Sequence, residues 1–272
     1  MALCLRDAEV IIGAEEMSPG GRVMVGDMRR YASAFVDAVK EIGSLDNICY
    51  ARVRDIVGQN STFVSQSGTF PKRFHDYSTR DVMGMNDAMN DIYEQALENE
   101  LGFSATFDLM TTWRHLGRLG SHDLSAMREA LGGMPVKVLG ASLCSAAGPP
   151  FCNAIFQFPN FSVSYESGVD FIPRCDASIE IFSKSKSIKI CYDTPYIKGV
   201  PVTLHVKEAS PDGSYRECMI RKTYEDPFIS MLKELYDCAV FEKEIKTTAT
   251  DAKREIELFG MILRAAVQGQ VT

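Results

Sequence analysis

One histidine lies where its neighbours give it chemistry. His122 follows a Gly-Ser pair, Asp123 comes directly after it, and Arg118 stands four residues before it. The apolar residues that follow recur at helical spacing, at Leu124, Met127 and Leu131. This pattern predicts an amphipathic helix with His122 in its first turn, where the helix dipole disfavours the protonated imidazole.

An imidazole exchanges a proton near neutral pH, so we expect His122 to serve as a general acid, general base or hydrogen-bond donor. Asp123 and Arg118 would then orient it or polarise a substrate carbonyl. The local pattern equally fits a structural role, in which His122 only caps or packs the helix. The surrounding elements must decide between the two.

Four further polar residues are candidates for contacting a substrate. His115 precedes His122 by seven residues and faces either the same cavity or solvent. Tyr196 and Lys198 stand in a polar and aromatic turn between two predicted strands, which either lines a pocket or is simply a loop. Asp55, in a predicted strand over 48–57, is the fourth candidate.

The motifs of several enzyme classes are absent from the sequence. There is no G-x-G-x-x-G or G-x-x-x-x-G-K-[ST] phosphate loop, no G-x-S-x-G elbow and no H-E-x-x-H pair. His75 and Asp76 are adjacent but have no second ligand at metal-site spacing. His205 falls in the middle of a predicted strand, where a structural role is simpler. We therefore expect no metal site.

The composition is that of a soluble globular protein, with 46% hydrophobic and 24% charged residues. A net charge of −7, without any run of Lys or Arg, argues against nucleic acid as a partner. No apolar run approaches the roughly 20 residues that span a bilayer, and no signal peptide is recognisable. Eight cysteines without a C-x-x-C pair indicate reduced thiols and a cytoplasmic location.

The chain changes character near residue 46. Before it, predicted helices over 6–18 and 31–42 flank a short apolar strand over 22–26, the rhythm of an α/β sheet with only one strand. After it, the long strand over 48–57 leads into an irregular polar segment over 58–80. Helices follow over 82–101 and from Ser121.

The second half is predicted to be mostly strands joined by short turns, an arrangement typical of antiparallel neighbours. The strands cover 136–146, 151–158, 161–168, 175–183, 186–193, 201–208 and 214–223, and helices over 226–241 and 249–267 close the chain. We predict an α+β fold with a large open, mainly antiparallel sheet and helices on one face. The other face must be covered as well, and a flat apolar face commonly pairs with a second subunit, so a homodimer is expected.

Several segments resemble the oxidoreductases of the glucose–fructose oxidoreductase, inositol dehydrogenase and MocA type (Gfo/Idh/MocA), especially a fungal branch. They occur in the family's order along nearly the whole chain: Val25–Ala32, Ala51–Val57, Leu119–Gly132, Tyr192–Gly199 and Thr223–Phe228. The family joins an N-terminal Rossmann domain, which binds NAD(P), to an open-sheet domain that holds substrate and forms dimers.

The resemblance implies that most of the nucleotide-binding domain is missing from this sequence. Met1 matches the point just after the family's Glu-Lys-Pro motif, whose lysine is catalytic. Residues 1–45 would then be a helix-strand-helix remnant of the Rossmann domain, and residues 46–272 the α+β domain for substrate binding and dimerisation. With the G-x-G-x-x-G turn and the lysine absent, we expect no nicotinamide cofactor.

The resemblance also bears on His122. It matches the histidine of the family's Asp-x-x-x-His pattern, which acts as acid or base beside the transferred hydride. Arg118 stands where the family has Asp, so the group that would orient the imidazole is changed.

Three functions remain open. The one we favour is a cofactor-independent isomerase or cyclase, with pericyclase, epimerase or dehydratase as variants, acting on a small intermediate of natural-product biosynthesis. The second is an NAD(P)-dependent oxidoreductase whose cofactor site is atypical or supplied by a partner. The third is a non-catalytic subunit that pairs with a full-length relative.

Overall fold

The computed structural model describes residues 2–144 and 148–269. Its α-helices are α1 (Leu5–Met17), α2 (Ser33–Ile42), α3 (Asn60–Gln66), α4 (Thr79–Glu94), α5 (Phe107–His115), α6 (Ser121–Ala130), α7 (Pro227–Val240) and α8 (Ala249–Gly269). Shorter 3₁₀ turns cover Met28–Tyr31 and Leu45–Asn47, and π-helical segments cover Gln95–Glu100 and Leu116–Gly120.

Eight strands form a single open sheet in the order β2-β3-β4-β1-β5-β6-β7-β8. They are β1 (Ile48–Val57), β2 (Lys137–Cys144), β3 (Phe151–Gln157), β4 (Ser162–Val169), β5 (Cys175–Ser183), β6 (Lys186–Tyr192), β7 (Thr203–Ala209) and β8 (Tyr215–Ile220). Among these strands only β1 and β4 run parallel, and the other neighbours are antiparallel. The predicted α+β fold with an open, mainly antiparallel sheet is confirmed.

Strand alternation separates a buried face from a half-exposed one. Along β1, Ala51, Val53, Asp55 and Val57 are buried, while the residues between them are partly exposed. Helices α2, α6 and α8 pack on the buried side, against β6, β1 and β2 respectively. None of the helices in the described part of the chain is long and apolar enough to cross a bilayer.

The face away from the helices is charged at its centre. Arg54 pairs there with Glu166 at 2.8 Å and with Asp176 at 3.3 Å, beside the stacked rings of Tyr50 and Phe182. The expectation of a flat apolar surface is wrong at this place, because the charged groups of three strands occupy it and pair within the chain. A homodimer through this sheet stays a prediction.

Two local predictions are corrected, and a third extends beyond the described residues. The segment over 22–26 pairs with no strand of the described chain; it is extended, and the Val25 N–H donates to the Thr247 carbonyl at 2.7 Å. The irregular segment over 58–80 contains helix α3. Of the strand predicted over 136–146, residues 145 and 146 lie outside the described residues.

Candidate active site

A row of small and polar side chains crosses the buried face of the sheet at one level. Strand register places five residues side by side: Cys152, Ser167, Asp55, Ala177 and Tyr192. The row one level further along is apolar, with Ala154, Tyr165, Val53, Ile179 and Ile190. The polar row lies near the carboxyl end of β1. Buried polar groups that could take part in a reaction are therefore concentrated at that end of the sheet.

Arg29 carries the positive charge above this row. Its guanidinium donates to the Asp55 carboxylate at 2.8 Å and to the Asp123 carboxylate, and it lies 4.8 Å from the centre of the Tyr192 ring. All four residues are buried. Burial works to lower the pKa of Arg29, but the charges of Asp123 and Asp55 outweigh it and raise that pKa.

Two carboxyl groups therefore share one cation in a buried site. Burial raises the pKa of Asp123 well above its usual value; Arg29 opposes this rise and the neighbouring charge of Asp55 adds to it. Asp55 Oδ1 and Asp123 Oδ2 are buried without a hydrogen-bond partner. The raised pKa favours the neutral form of Asp123 beside Asp55.

His115 packs beside this cluster and is neutral at pH 7. Its Nε2 lies 2.9 Å from the Ser167 hydroxyl. Burial lowers its pKa to about 4, although the charge of Asp55 works in the opposite direction. The buried ring is therefore a neutral hydrogen-bonding group and not a cation.

This burial makes folding stability depend on pH. In the unfolded chain His115 binds a proton below its ordinary value of 6.5, whereas in the folded chain it does so only near 4. Stability from this group is therefore complete above pH 6.5 and lost as the pH falls, by about 2 kcal/mol between about pH 7 and pH 5. In H115Q, which keeps an acceptor or donor for Ser167, this loss is expected to vanish.

Urea unfolding of parent and H115Q at both pH values measures the effect. The difference between the two proteins is the relevant quantity, because burial raises the pKa of Glu255 to about 7. That residue titrates over part of the same range with the opposite sign in both proteins. Equal pH dependence in parent and variant would contradict the buried neutral imidazole.

His122 does not begin a helix. Helix α5 continues through the π-helical segment Leu116–Gly120 into α6 without a turn. Gly120 has helical dihedrals, φ −60° and ψ −27°. The predicted Gly-Ser turn is therefore wrong, and so is the argument from a helix dipole, because no free helix N-terminus lies beside His122.

The carboxylate that faces His122 is Asp27, not Asp123. Asp27 Oδ1 lies 3.5 Å from His122 Nδ1, and its Oδ2 accepts a hydrogen bond of 2.8 Å from the Ser125 hydroxyl. Ser125 stands three residues after His122 on α6, so one helix supplies the imidazole and the group that fixes its carboxylate. Asp27 is buried, whereas the His122 side chain is 27% exposed.

A cleft of about 650 Å³ opens at the carboxyl ends of the parallel strands β1 and β4. Its lining residues are Val57, Gly58, Gln59, Asn60, Ser61, Thr111, Arg114, His115, Arg118, Leu119, Pro150, Val169 and Tyr196. The carboxyl edge of parallel strands is a common place for ligands, because no strand continues there to fill the space.

The predicted site residues fall into four groups, the last of them Lys198 alone. His115, Arg118 and Tyr196 line the cleft, where the Asn60 amide donates to the Tyr196 hydroxyl at 3.3 Å. Asp55 and Asp123 lie in the buried cluster, outside the lining. His122 is one helical turn beyond Arg118 and does not line the cleft itself.

Lys198 points to another partner. Its ammonium group pairs with Asp226, the N-cap of α7, whose Oδ1 also accepts from the Ile229 N–H at 3.0 Å. Lys198 is absent from the lining of the cleft, so the structure gives it a role in holding the start of α7.

The described residues do not fit a dinucleotide. A Rossmann site uses the open N-terminus of a helix that follows a parallel strand and a glycine-rich turn. At α1 the carboxylate of Glu100 already accepts from the Leu5 and Arg6 N–H groups, at 2.8 and 3.0 Å. Nor does any group of three or more His, Cys, Asp or Glu in residues 2–144 and 148–269 suit a metal ion.

Comparison with known proteins places the fold. No protein-family model and no curated protein sequence matches the chain. The aldose-aldose oxidoreductase of Caulobacter crescentus is 16% identical with a TM-score of 0.61, covering 99% of this chain and 68% of its own. A putative NADPH-dependent oxidoreductase of Desulfitobacterium hafniense is 13% identical with a TM-score of 0.63, covering 98% and 69%.

A protein of another kind has the same fold. The transcriptional regulator Gal80p of Kluyveromyces lactis is 13% identical with a TM-score of 0.60, covering 98% of this chain and 66% of its own. The chain thus spans about two thirds of the length of these structures. At such identities the likeness establishes the fold, that of the open-sheet domain of Gfo/Idh/MocA-type oxidoreductases, and leaves the activity to the site.

Proposed function

We propose that this protein is a cofactor-independent isomerase or cyclase that moves a proton on a small molecule, which reaches from the cleft to His122, one helical turn beyond Arg118. His122 is the general acid and base. The observation that carries the proposal is the pair formed by the part-exposed imidazole of His122 and the buried carboxylate of Asp27. Asp27 takes the place of the aspartate that the family has four residues before this histidine, where this sequence has Arg118.

The geometry favours one tautomer of the imidazole. A proton on Nδ1 faces the Asp27 carboxylate, which leaves a lone pair on Nε2. Nε2 takes a proton from the substrate, exchanges it with solvent and returns a proton at another atom, so substrate and product have the same composition apart from the exchanged hydrogen. Such a transfer by a positioned side chain accelerates a reaction by about 10²–10⁴-fold.

The domain origin is part of the proposal. Residues 1–45 would derive from a nucleotide-binding domain and residues 46–272 from a substrate domain, as in the Gfo/Idh/MocA family. A cytoplasmic homodimer in a fungal natural-product pathway is the setting we propose. It rests on the family resemblance alone.

The reaction class can be tested by mass spectrometry. Candidate substrates are the small molecules that the enzymes of neighbouring genes would make. They are incubated with the protein in D₂O, with and without NADPH. The proposal expects a product isomeric with the substrate, carrying solvent deuterium, at equal rates in both cases. A product that has gained two hydrogens only when NADPH is present would overturn it and favour the oxidoreductase.

A non-catalytic role is the second candidate, favoured by the likeness to the transcriptional regulator Gal80p. Under this reading the protein binds a full-length relative and turns over no substrate. Co-expression with such a relative, followed by sizing of the complex, distinguishes the two. A rise in melting temperature with NADPH would instead revive the oxidoreductase.

A further inference from the structure

The charged side chains that line the cleft are all positive. The whole chain has 36 acidic and 29 basic residues. Among the residues that line the cleft, however, Arg114 and Arg118 are charged and no Asp or Glu occurs. His115 completes that wall as a neutral ring. The cleft is therefore locally positive in a protein of net charge −7.

The two arginines stand on one side of the same continuous helix. They are four residues apart, at the end of α5 and in the π-helical segment that follows, and both are exposed. In the described chain neither forms an ion pair with a carboxylate, whereas the buried Arg29, Arg30 and Arg128 each bind two acidic side chains. Their guanidinium groups are therefore available to bind a ligand.

The other lining residues complement these cations. The Asn60 amide and the hydroxyls of Ser61, Thr111 and Tyr196 offer further hydrogen bonds, and apolar side chains form the remainder: Val57, Leu119, Pro150 and Val169. Guanidinium groups bind oxyanions through paired N–H donors, and the apolar walls suit a hydrocarbon or ring.

We propose that the cleft binds an organic anion, with its carboxylate or phosphate on Arg114 and Arg118 and its apolar body against the carboxyl ends of β1 and β4. This deepens the proposed function by naming the substrate class. The anion would anchor the molecule one helical turn from His122, which leaves the reacting end free for proton transfer.

Calorimetric titration of the full chain tests the inference without needing turnover. The probes are benzoate and phenyl phosphate, with benzamide as the neutral analogue of the same shape. We expect binding of at least one anion and none of benzamide. The single variant R118Q is expected to bind the anion about tenfold more weakly, and R114Q/R118Q about 100-fold.

Matched controls separate this contact from overall charge. Arg264 and Lys137 are exposed and lie outside the cleft, so R264Q and R264Q/K137Q remove the same charge and should bind like the parent. Melting temperatures report that all variants fold. Equal affinity in R114Q/R118Q and R264Q/K137Q, or equal binding of benzamide and benzoate, would overturn the inference.

The H122Q variant keeps the two proposals apart. It should bind the anion as the parent does, because His122 does not line the cleft. Anion binding that depends on the arginines, together with turnover that survives in H122Q, would refute the proposed function and leave the anion site standing. Turnover that depends on His122 without any anion binding would do the reverse.

Discussion

The variant H122Q is expected to turn over substrate about 10²–10⁴-fold more slowly than the parent, because glutamine cannot exchange a proton near neutral pH. Its melting temperature should hardly change. The ring is 27% exposed, and the 3.5 Å approach of its Nδ1 to Asp27 Oδ1 is too long to add much stability. Steady-state kinetics and thermal unfolding, run on the same preparation, measure both effects.

Asp27 is a positioning residue in this scheme, and D27N tests that role. The asparagine can still accept from Ser125 while turning its amide toward His122 Nδ1, which would move the imidazole proton to Nε2. We expect a large fall in kcat with little change in KM, and a shifted pH–rate profile. If Asp27 had only a structural role, D27N would lower the melting temperature and leave the pH profile of the remaining activity unchanged.

The matched control is His205, which lies half-exposed on β7 with its Nε2 3.2 Å from the Thr203 hydroxyl. H205Q is expected to keep the parent's activity. Full turnover in H122Q, with substrate binding intact, would remove His122 as the acid or base. The cleft would then have to work through shape and hydrogen bonding, as a pericyclic closure requires.

The strands of the second half were predictable because their side chains alternate and short turns separate them. Along β3 and β4, for example, buried residues recur at every second position, and this is the pattern that the sequence displays. The parallel pair β1 and β4 was not predictable, since a crossover of more than a hundred residues joins two strands whose local patterns look alike.

The turn before His122 was misread for a physical reason. Gly117 and Gly120 resemble turn residues in sequence, but both are helical and serve close packing. A Cβ on Gly117 would lie 2.2 Å from the Leu3 side chain, and one on Gly120 would lie 2.6 Å from the Tyr165 hydroxyl. Both glycines pack closely against residues that are distant in sequence, which a local pattern cannot reveal.

The partners of the site were missed for the same reason. Arg29 and Asp123 are 94 residues apart, and Asp27 and Ser125 are 98 apart. The sequence did offer one signal: Asp27 and Arg29 lie within Val25–Ala32, a segment that carries the family resemblance. Residue type alone could not tell which of Asp27 and Asp123 faces the histidine.

The buried cluster predicts the largest change in stability. R29M fills the space of the arginine without its charge and leaves the carboxyl groups of Asp55 and Asp123 without a cation. Removal of one partner from a buried ion pair costs about 3–5 kcal/mol, so we expect a loss of that size in the free energy of unfolding. R54Q is the control: Arg54 also binds two acids but is 32% exposed, and about 0–1 kcal/mol is expected.

A second substitution separates lost charge from lost packing. In R29M/D123N one of the two carboxyl groups is neutral, as the raised pKa of Asp123 already favours in the parent. If uncompensated charge causes the loss, the double variant should be more stable than R29M, and a double-mutant cycle on the free energies of unfolding gives the coupling. A double variant no more stable than R29M would assign the loss to packing around Tyr192.

The uncompensated charge in R29M also makes the stability of this variant depend on pH. A carboxyl group whose pKa is higher in the folded chain than in the unfolded one stabilises the fold below its unfolded value, and loses that contribution as the pH rises through the folded value. R29M should therefore approach the parent's stability as the pH falls toward about 4, where Asp123 binds a proton in the unfolded chain as well. The arginine thus compensates the negative charge of the buried acids beneath the candidate active site.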